Sequence, residues 1–187
     1  GPNDLVLDTH GGFYFTDLGK VRPREIDRGG IYYAKCDGSQ IAEIAFPTLF
    51  ANGCALSPDG RTLYFAETDS ARLWALALDA PGVVRPEPWP SPHGGRLVAQ
   101  CGNAYNRFDS MAVEADGNIC VATLMNGGIT VISPDGTSIR HLPMPDTYTT
   151  NLCFGGPDMR TAYITLSTSG RLVACEWERP GLRLNWQ

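Results

Sequence analysis

The sequence has little to offer a nucleic acid or a membrane. Fifteen Lys and Arg stand against 20 Asp and Glu, a net charge of −5 with a pI near 5.1. The concentrated positive field that neutralises a phosphate backbone is therefore missing. The densest basic segment, Lys20, Arg22, Arg24 and Arg28, is interrupted by Glu25 and Asp27 and reads as a solvated loop. No apolar run approaches the ~20 residues of a membrane-spanning helix. Neither nucleic acid nor membrane is expected as a partner.

Metal and nucleophile motifs are equally scarce. The six cysteines form no Cys-x-x-Cys pair. Cys54, Cys120 and Cys153 sit in apolar, strand-like runs where a thiol acts as a small buried hydrophobe. Reduced thiols and a cytoplasmic location follow as expectations. The three histidines, His10, His93 and His141, lie in unrelated segments without metal-ligand spacing. Ser57 and Ser133 precede Pro-Asp-Gly turns and have no histidine partner in a nucleophile motif. The pairs Gly11-Gly12, Gly29-Gly30 and Gly127-Gly128 are not phosphate loops, because no helix follows them. Helical periodicity is absent throughout.

What the chain does have is turn residues and short apolar runs: 21 Gly, 14 Pro and 43% hydrophobic residues. Four segments share one pattern, Asn3-Asp4-LVLDTHGGFYFTD, Asn52-Gly53-CALSPDGRTLYFAET, Asp109-Ser110-MAVEADGNICVAT and Asn151-LCFGGPDMRTAYIT. Each opens on a carboxamide or carboxylate, runs apolar, turns at a Gly/Asp-rich point and resumes as a β-branched or aromatic run, the signature of a hairpin. A second hairpin follows each: 29–38, 71–82, 127–136 and 170–181. The starts at 3, 52, 109 and 151 are 49, 57 and 42 residues apart, close to the spacing of propeller blades. The spacing predicts an all-β propeller domain over 1–187 with about four blades present. The Pro-rich stretch Pro81–Gly95 reads as a long loop between blades, and Trp74, Trp89, Trp177 and Trp186 as packing residues between sheets.

Innermost strands of a propeller line the central channel, so equivalent positions converge on the axis. Asn3, Asn52, Asp109 and Asn151 hold such a position in the repeat, and a ring of oxygen donors suits a hard divalent cation. The competing reading is that Asn and Asp ahead of a strand cap turns by bonding their own backbone. It applies best to Asn151, where Thr149 and Thr150 offer a local turn.

At these residues the chain resembles the senescence marker protein/gluconolactonase family, which includes regucalcin-like and drug-responsive lactonases. The matching stretches are 1–19, 51–68, 108–136 and 149–182. The resemblance implies a six-bladed propeller that hydrolyses sugar lactones with one divalent cation near the mouth of its channel. Ca²⁺ suits the oxygen donors best, and Zn²⁺, Mn²⁺ or Mg²⁺ are permitted. By motif position, Asn52 and Asp109 resemble direct metal ligands and Ser110 a neighbouring oxygen. Asn3 and Asp4 resemble the pair lining the substrate and water side, and Asp109 or Asp4 would take the proton from water. The resemblance also implies a glutamate ligand from a Gly-Glu-x-Pro-type segment, which this sequence does not contain. The chain accordingly reads as missing roughly the first two blades, with open blade edges that invite self-association. Lactone selectivity is expected in the loops 19–30 and 81–108. The alternatives are a non-catalytic propeller holding a structural cation, and an esterase, phosphotriesterase or condensing enzyme on the same fold.

Overall fold

Period-two and continuous apolar runs become strands in the computed structural model, which describes residues 1–101 and 105–186. Residues 102–104 of the expected selectivity loop lie outside the described residues. Eighteen strands and no α-helix are present among the described residues, and accordingly no helix is long and apolar enough to cross a membrane.

The first blade is an antiparallel meander of β1 (Pro2–Leu7), β2 (Gly12–Asp17), β5 (Gly29–Lys35) and β6 (Ile41–Thr48). Between β2 and β5 the basic segment folds into a two-stranded ribbon, β3 (Lys20–Val21) with β4 (Ile26–Asp27), where the Arg22 guanidinium forks onto Asp27 at 2.8 and 2.6 Å. The second blade is β7 (Ala51–Leu56), β8 (Thr62–Glu67), β9 (Arg72–Ala80), and an outer strand in two pieces, β10 (Val83–Arg85) and β11 (Arg96–Gln100). The third is β12 (Arg107–Val113), β13 (Ile119–Leu124), β14 (Gly128–Ile132) and β15 (Ile139–Pro143). The fourth has three strands, β16 (Thr149–Gly155), β17 (Thr161–Leu166) and β18 (Arg171–Glu176).

The Pro-rich stretch is thus not a loop between blades. Both β10 and β11 pair with β9, and the insertion interrupts the outer strand of blade 2. Proline lacks the N–H a ladder needs, and an edge strand tolerates that loss.

Innermost strands stand side by side, β1 beside β7, β7 beside β12 and β12 beside β16. The core lies between blades. Tyr14, Ile31 and Tyr33 of blade 1 meet Leu63, Phe65 and Leu76 of blade 2. Blade 2 meets Phe108, Val113 and Ile132 of blade 3, and blade 3 meets Leu152, Phe154 and Ile164 of blade 4. Strands β7, β13 and β14 are buried at every residue, whereas β2 and β17 alternate. Sheets covered on both faces carry continuous apolar runs and those with one open face alternate. Two expectations fail. Cys153 is exposed on β16, and Trp89 and Trp186 are 88% and 77% exposed while Trp74 and Trp177 are buried.

The Ser-Pro-Asp-Gly turns are structural, as expected. The Ser57 hydroxyl donates to Asp59 and that of Ser133 to Asp135, each at 2.6 Å, and Gly60 and Gly136 take positive φ of 67° and 75°, a conformation open to glycine without a Cβ penalty.

Every innermost strand also carries a register break at the same height. Two residues face one across the hairpin at Asn3-Asp4, Asn52-Gly53, Asp109-Ser110 and Thr150-Asn151. Such β-bulges re-aim side chains where pairing would otherwise hold them flat.

Candidate functional site

The bulges correct the repeat alignment in blade 4. Leu5, Cys54, Met111 and Leu152 pair with Phe15, Phe65, Val121 and Ile164 and are therefore equivalent. One step back, Asn151 matches Asp4, Gly53 and Ser110. It is Thr150 that matches Asn3, Asn52 and Asp109. Asn151 is exposed, and the Thr150 hydroxyl is bonded to that of Thr165 at 2.8 Å. The expected ring of four reduces to donors from blades 1, 2 and 3.

These three blades are joined at the bulges. Thr16, fully buried on β2, accepts the Asp4 N–H at 3.1 Å and donates to the Asn52 carbonyl at 2.6 Å. The Asp4 carboxylate accepts the N–H of Leu5 at 2.8 Å and of Cys54 at 3.4 Å, and it is hydrogen-bonded by the Ser110 side chain of blade 3. Burial nevertheless pushes the Asp4 carboxyl above the ordinary range.

Asn52 is 7% exposed. Its Nδ2 donates to Thr68 Oγ1 at 3.2 Å and its side chain is hydrogen-bonded to the Asp109 carboxylate. The Oδ1 atom is buried and has no protein partner. Burial pushes the Asp109 carboxyl up to about 6, and the charge of Asp4 adds to the rise, against hydrogen bonds from Asn52 and the Ser110 backbone that hold it down. Desolvating a carboxylate disfavours its charged form. Gly53 makes this contact of blades 2 and 3 attainable: a Cβ there would lie 2.7 Å from the Asp109 carbonyl oxygen and 2.8 Å from Met111 N.

Asn3 is exposed on the rim. Below it a cavity of 1070 Å³ occupies the channel, lined at one end by Asp4 and Asn151, along its walls by Cys54, Met111 and Cys153, and at the far end by Asp59, Arg61 and Arg183. Asn52 and Asp109 stand two residues ahead of this lining, on the strands that supply Cys54 and Met111.

The donor set suits a hard cation. A buried amide oxygen lacking a hydrogen-bond partner sits beside a desolvated carboxylate, both oxygen ligands of the kind Ca²⁺ and Mg²⁺ take. Among the described residues no group of three or more His, Cys, Asp or Glu converges. Sequence reasoning missed Thr16, Thr68 and Gly53. Thr16 and Gly53 act through backbone contacts between blades and Thr68 through the Asn52 amide within blade 2, and only the Gly of the Asn-Gly pair carried a signal.

Residues 1–168 match the family described as SMP-30/Gluconolactonase/LRE-like region. Lactonase drp35 of Staphylococcus epidermidis is 32% identical over 143 residues, 76% of this chain and 42% of that protein. The chain thus spans less than half the length of the curated relatives it matches. A calcium-binding protein, regucalcin, from Agrobacterium tumefaciens superposes with a TM-score of 0.76 at 23% identity over 98% of this chain and 65% of its own, a likeness of fold. A gluconolactonase from Xanthomonas campestris superposes with a TM-score of 0.68 at 27% identity, over 88% of this chain and 53% of its own. With its blades, its bulged inner strands and this match in view, the chain belongs to the SMP-30/gluconolactonase/LRE-like family.

Proposed function

We propose that this propeller hydrolyses sugar lactones with the help of one divalent cation, Ca²⁺ in first place, at the mouth of the channel. One observation carries the reading: the unpartnered, buried Oδ1 of Asn52 stands beside an Asp109 carboxyl whose burial raises it to about 6. Two desolvated carboxylates and an orphaned amide oxygen are costly without a positive charge. Asn52 Oδ1 and the Asp109 carboxylate would hold the cation, with Ser110 beside them as a neighbouring oxygen. A bound dication polarises an ester carbonyl and acidifies water.

The remaining roles fall to the chain's own groups. Asp4 lines the cavity, and its raised pKa suits it to take a proton from attacking water at a carboxylate oxygen; Asp109 is the other candidate base. Asn3, exposed on the rim, is free to bond a ring hydroxyl of a small polar substrate.

Calcium titration calorimetry together with pH-stat hydrolysis of gluconolactone, with and without chelator, tests the reading. Asp109→Ala is expected to lose cation binding and nearly all turnover. Wild-type-like hydrolysis by that variant, or under chelator, overturns it. Cation retained without hydrolysis of lactones, aryl esters or phosphotriesters marks a binding module instead.

A further inference from the structure

We propose that Thr68 is the positioning residue that holds the Asn52 amide with its oxygen toward the site. The inference rests on the reading above that Asn52 Oδ1 receives a divalent cation. Thr68 follows directly on β8, and its surroundings fix it from several sides. Its N–H donates to the Phe50 carbonyl at 3.0 Å, and Phe50 stands at a φ of 57°, an uncommon conformation for a bulky residue that only firm surroundings maintain. Next to it, Glu67 is 2% exposed with both carboxylate oxygens in use. Oε1 accepts Leu49 N–H at 2.7 Å, and Oε2 accepts the Ser70 hydroxyl at 2.7 Å and Trp74 Nε1–H at 3.0 Å. The segment 67–68 is clamped to 49–50, just ahead of the Asn52 bulge.

The Thr68 hydroxyl oxygen therefore occupies a fixed point, and Asn52 Nδ2 donates to it at 3.2 Å. An amide has two N–H donors on one side and an acceptor oxygen on the other. Here one donor serves Thr68 and the Asn52 side chain also bonds the Asp109 carboxylate, which only accepts. Rotating the amide by half a turn would set Oδ1 against the carboxylate and leave Nδ2 without acceptors. Oδ1 is thus left over, buried and unpaired. Outer partners that orient a ligand in this way are worth tenfold or more in metal affinity.

Thr68→Val keeps the branched shape and removes the acceptor, and Thr68→Ser keeps the oxygen. Calcium titration is expected to show about tenfold weaker binding for T68V and restoration of most of it by T68S, with thermal midpoints of the metal-free proteins alike. In the metal-free protein, the two side-chain amide proton resonances of Asn52 are expected to shift and exchange faster in T68V but not in T68S. Undiminished affinity in T68V, unmoved Asn52 amide resonances, or T68S behaving like T68V each overturns the inference. If the parent takes up no cation while its Asn52 amide still responds to T68V, the cation reading falls and the positioning of the amide by Thr68 stands.

Discussion

The hydroxyl of Thr16 donates to the carbonyl of Asn52 at 2.6 Å while accepting the N–H of Asp4 at 3.1 Å, so one buried atom ties blade 1 to blade 2 at the candidate site. Thr16→Val preserves volume and deletes both bonds. It is expected to destabilise the protein by about 1–3 kcal/mol, because two backbone groups lose their partner. Denaturant unfolding checks the loss, and lactone hydrolysis should fall with it.

Gly53 faces backbone atoms of blade 3, which cannot rotate out of the way as a side chain can. Gly53→Ala should therefore push β7 from β12, costing about 1–3 kcal/mol by overpacking and weakening cation binding. Gly38 meets no atom within 4 Å of a built Cβ but has a φ of 75°, so Gly38→Ala separates the cost of backbone conformation from that of contact. Equal effects of the two substitutions would refute the steric account.

Burial pushes the Asp109 carboxyl up to about 6, and this fixes the sign of its contribution to stability. The folded metal-free chain binds the proton more readily than the unfolded chain, so between about pH 4 and 6 the stability that depends on Asp109 falls as pH rises. Asp109→Asn removes this term. The stability advantage of D109N over the parent should grow through that window and level off above it. Chelated samples followed by thermal unfolding at several pH values give the answer.

Glu114 has the opposite sign. It is fully buried, yet hydrogen bonds from Arg179, Trp177 and Asn118 outweigh burial and hold its carboxyl below the ordinary range. It accepts Trp177 Nε1–H at 2.7 Å and Arg179 Nε–H at 2.6 Å, and beside it Leu182 N donates to the Val113 carbonyl at 2.8 Å. Beyond these contacts, Asn185 Nδ2 donates to Leu7 O at 2.9 Å, carrying the tail from blade 4 past blade 3 to blade 1. Glu114→Gln should cost about 2 kcal/mol at neutral pH, less as pH falls toward 3, and should open 177–186 to limited proteolysis.

Blade architecture was legible because hairpin turns and apolar runs recur in sequence, and each recurrence is local. The fourth register was not. Thr149, Thr150 and Asn151 offer three polar residues ahead of Leu152, and which two form the bulge is decided by pairing with Leu166 and Thr165, partners that composition does not name. The Pro81–Gly95 insertion misled for a related reason: prolines signal a loop but not which strands flank it, and only the pairing of Arg96–Gln100 with β9 returns that segment to blade 2. Asn52 and Asp109 were visible as residue types, and the structure brings them together. Thr68 and Thr16 were invisible, since a lone threonine at a strand end has many uses.

The bulge at the head of each inner strand has a wider consequence. It places two adjacent residues outside the alternation that governs the rest of the strand, while Leu5, Cys54, Met111 and Leu152 resume pairing directly below. Reactive groups and packing groups are thus written on separate stretches of one strand. Asn-Asp, Asn-Gly, Asp-Ser and Thr-Asn all occupy the upper stretch above a shared lower one. Gly53 apart, where blade 3 backbone leaves no room for a side chain, new chemistry can be tried at the other seven positions, blade by blade, without asking the core between blades to change.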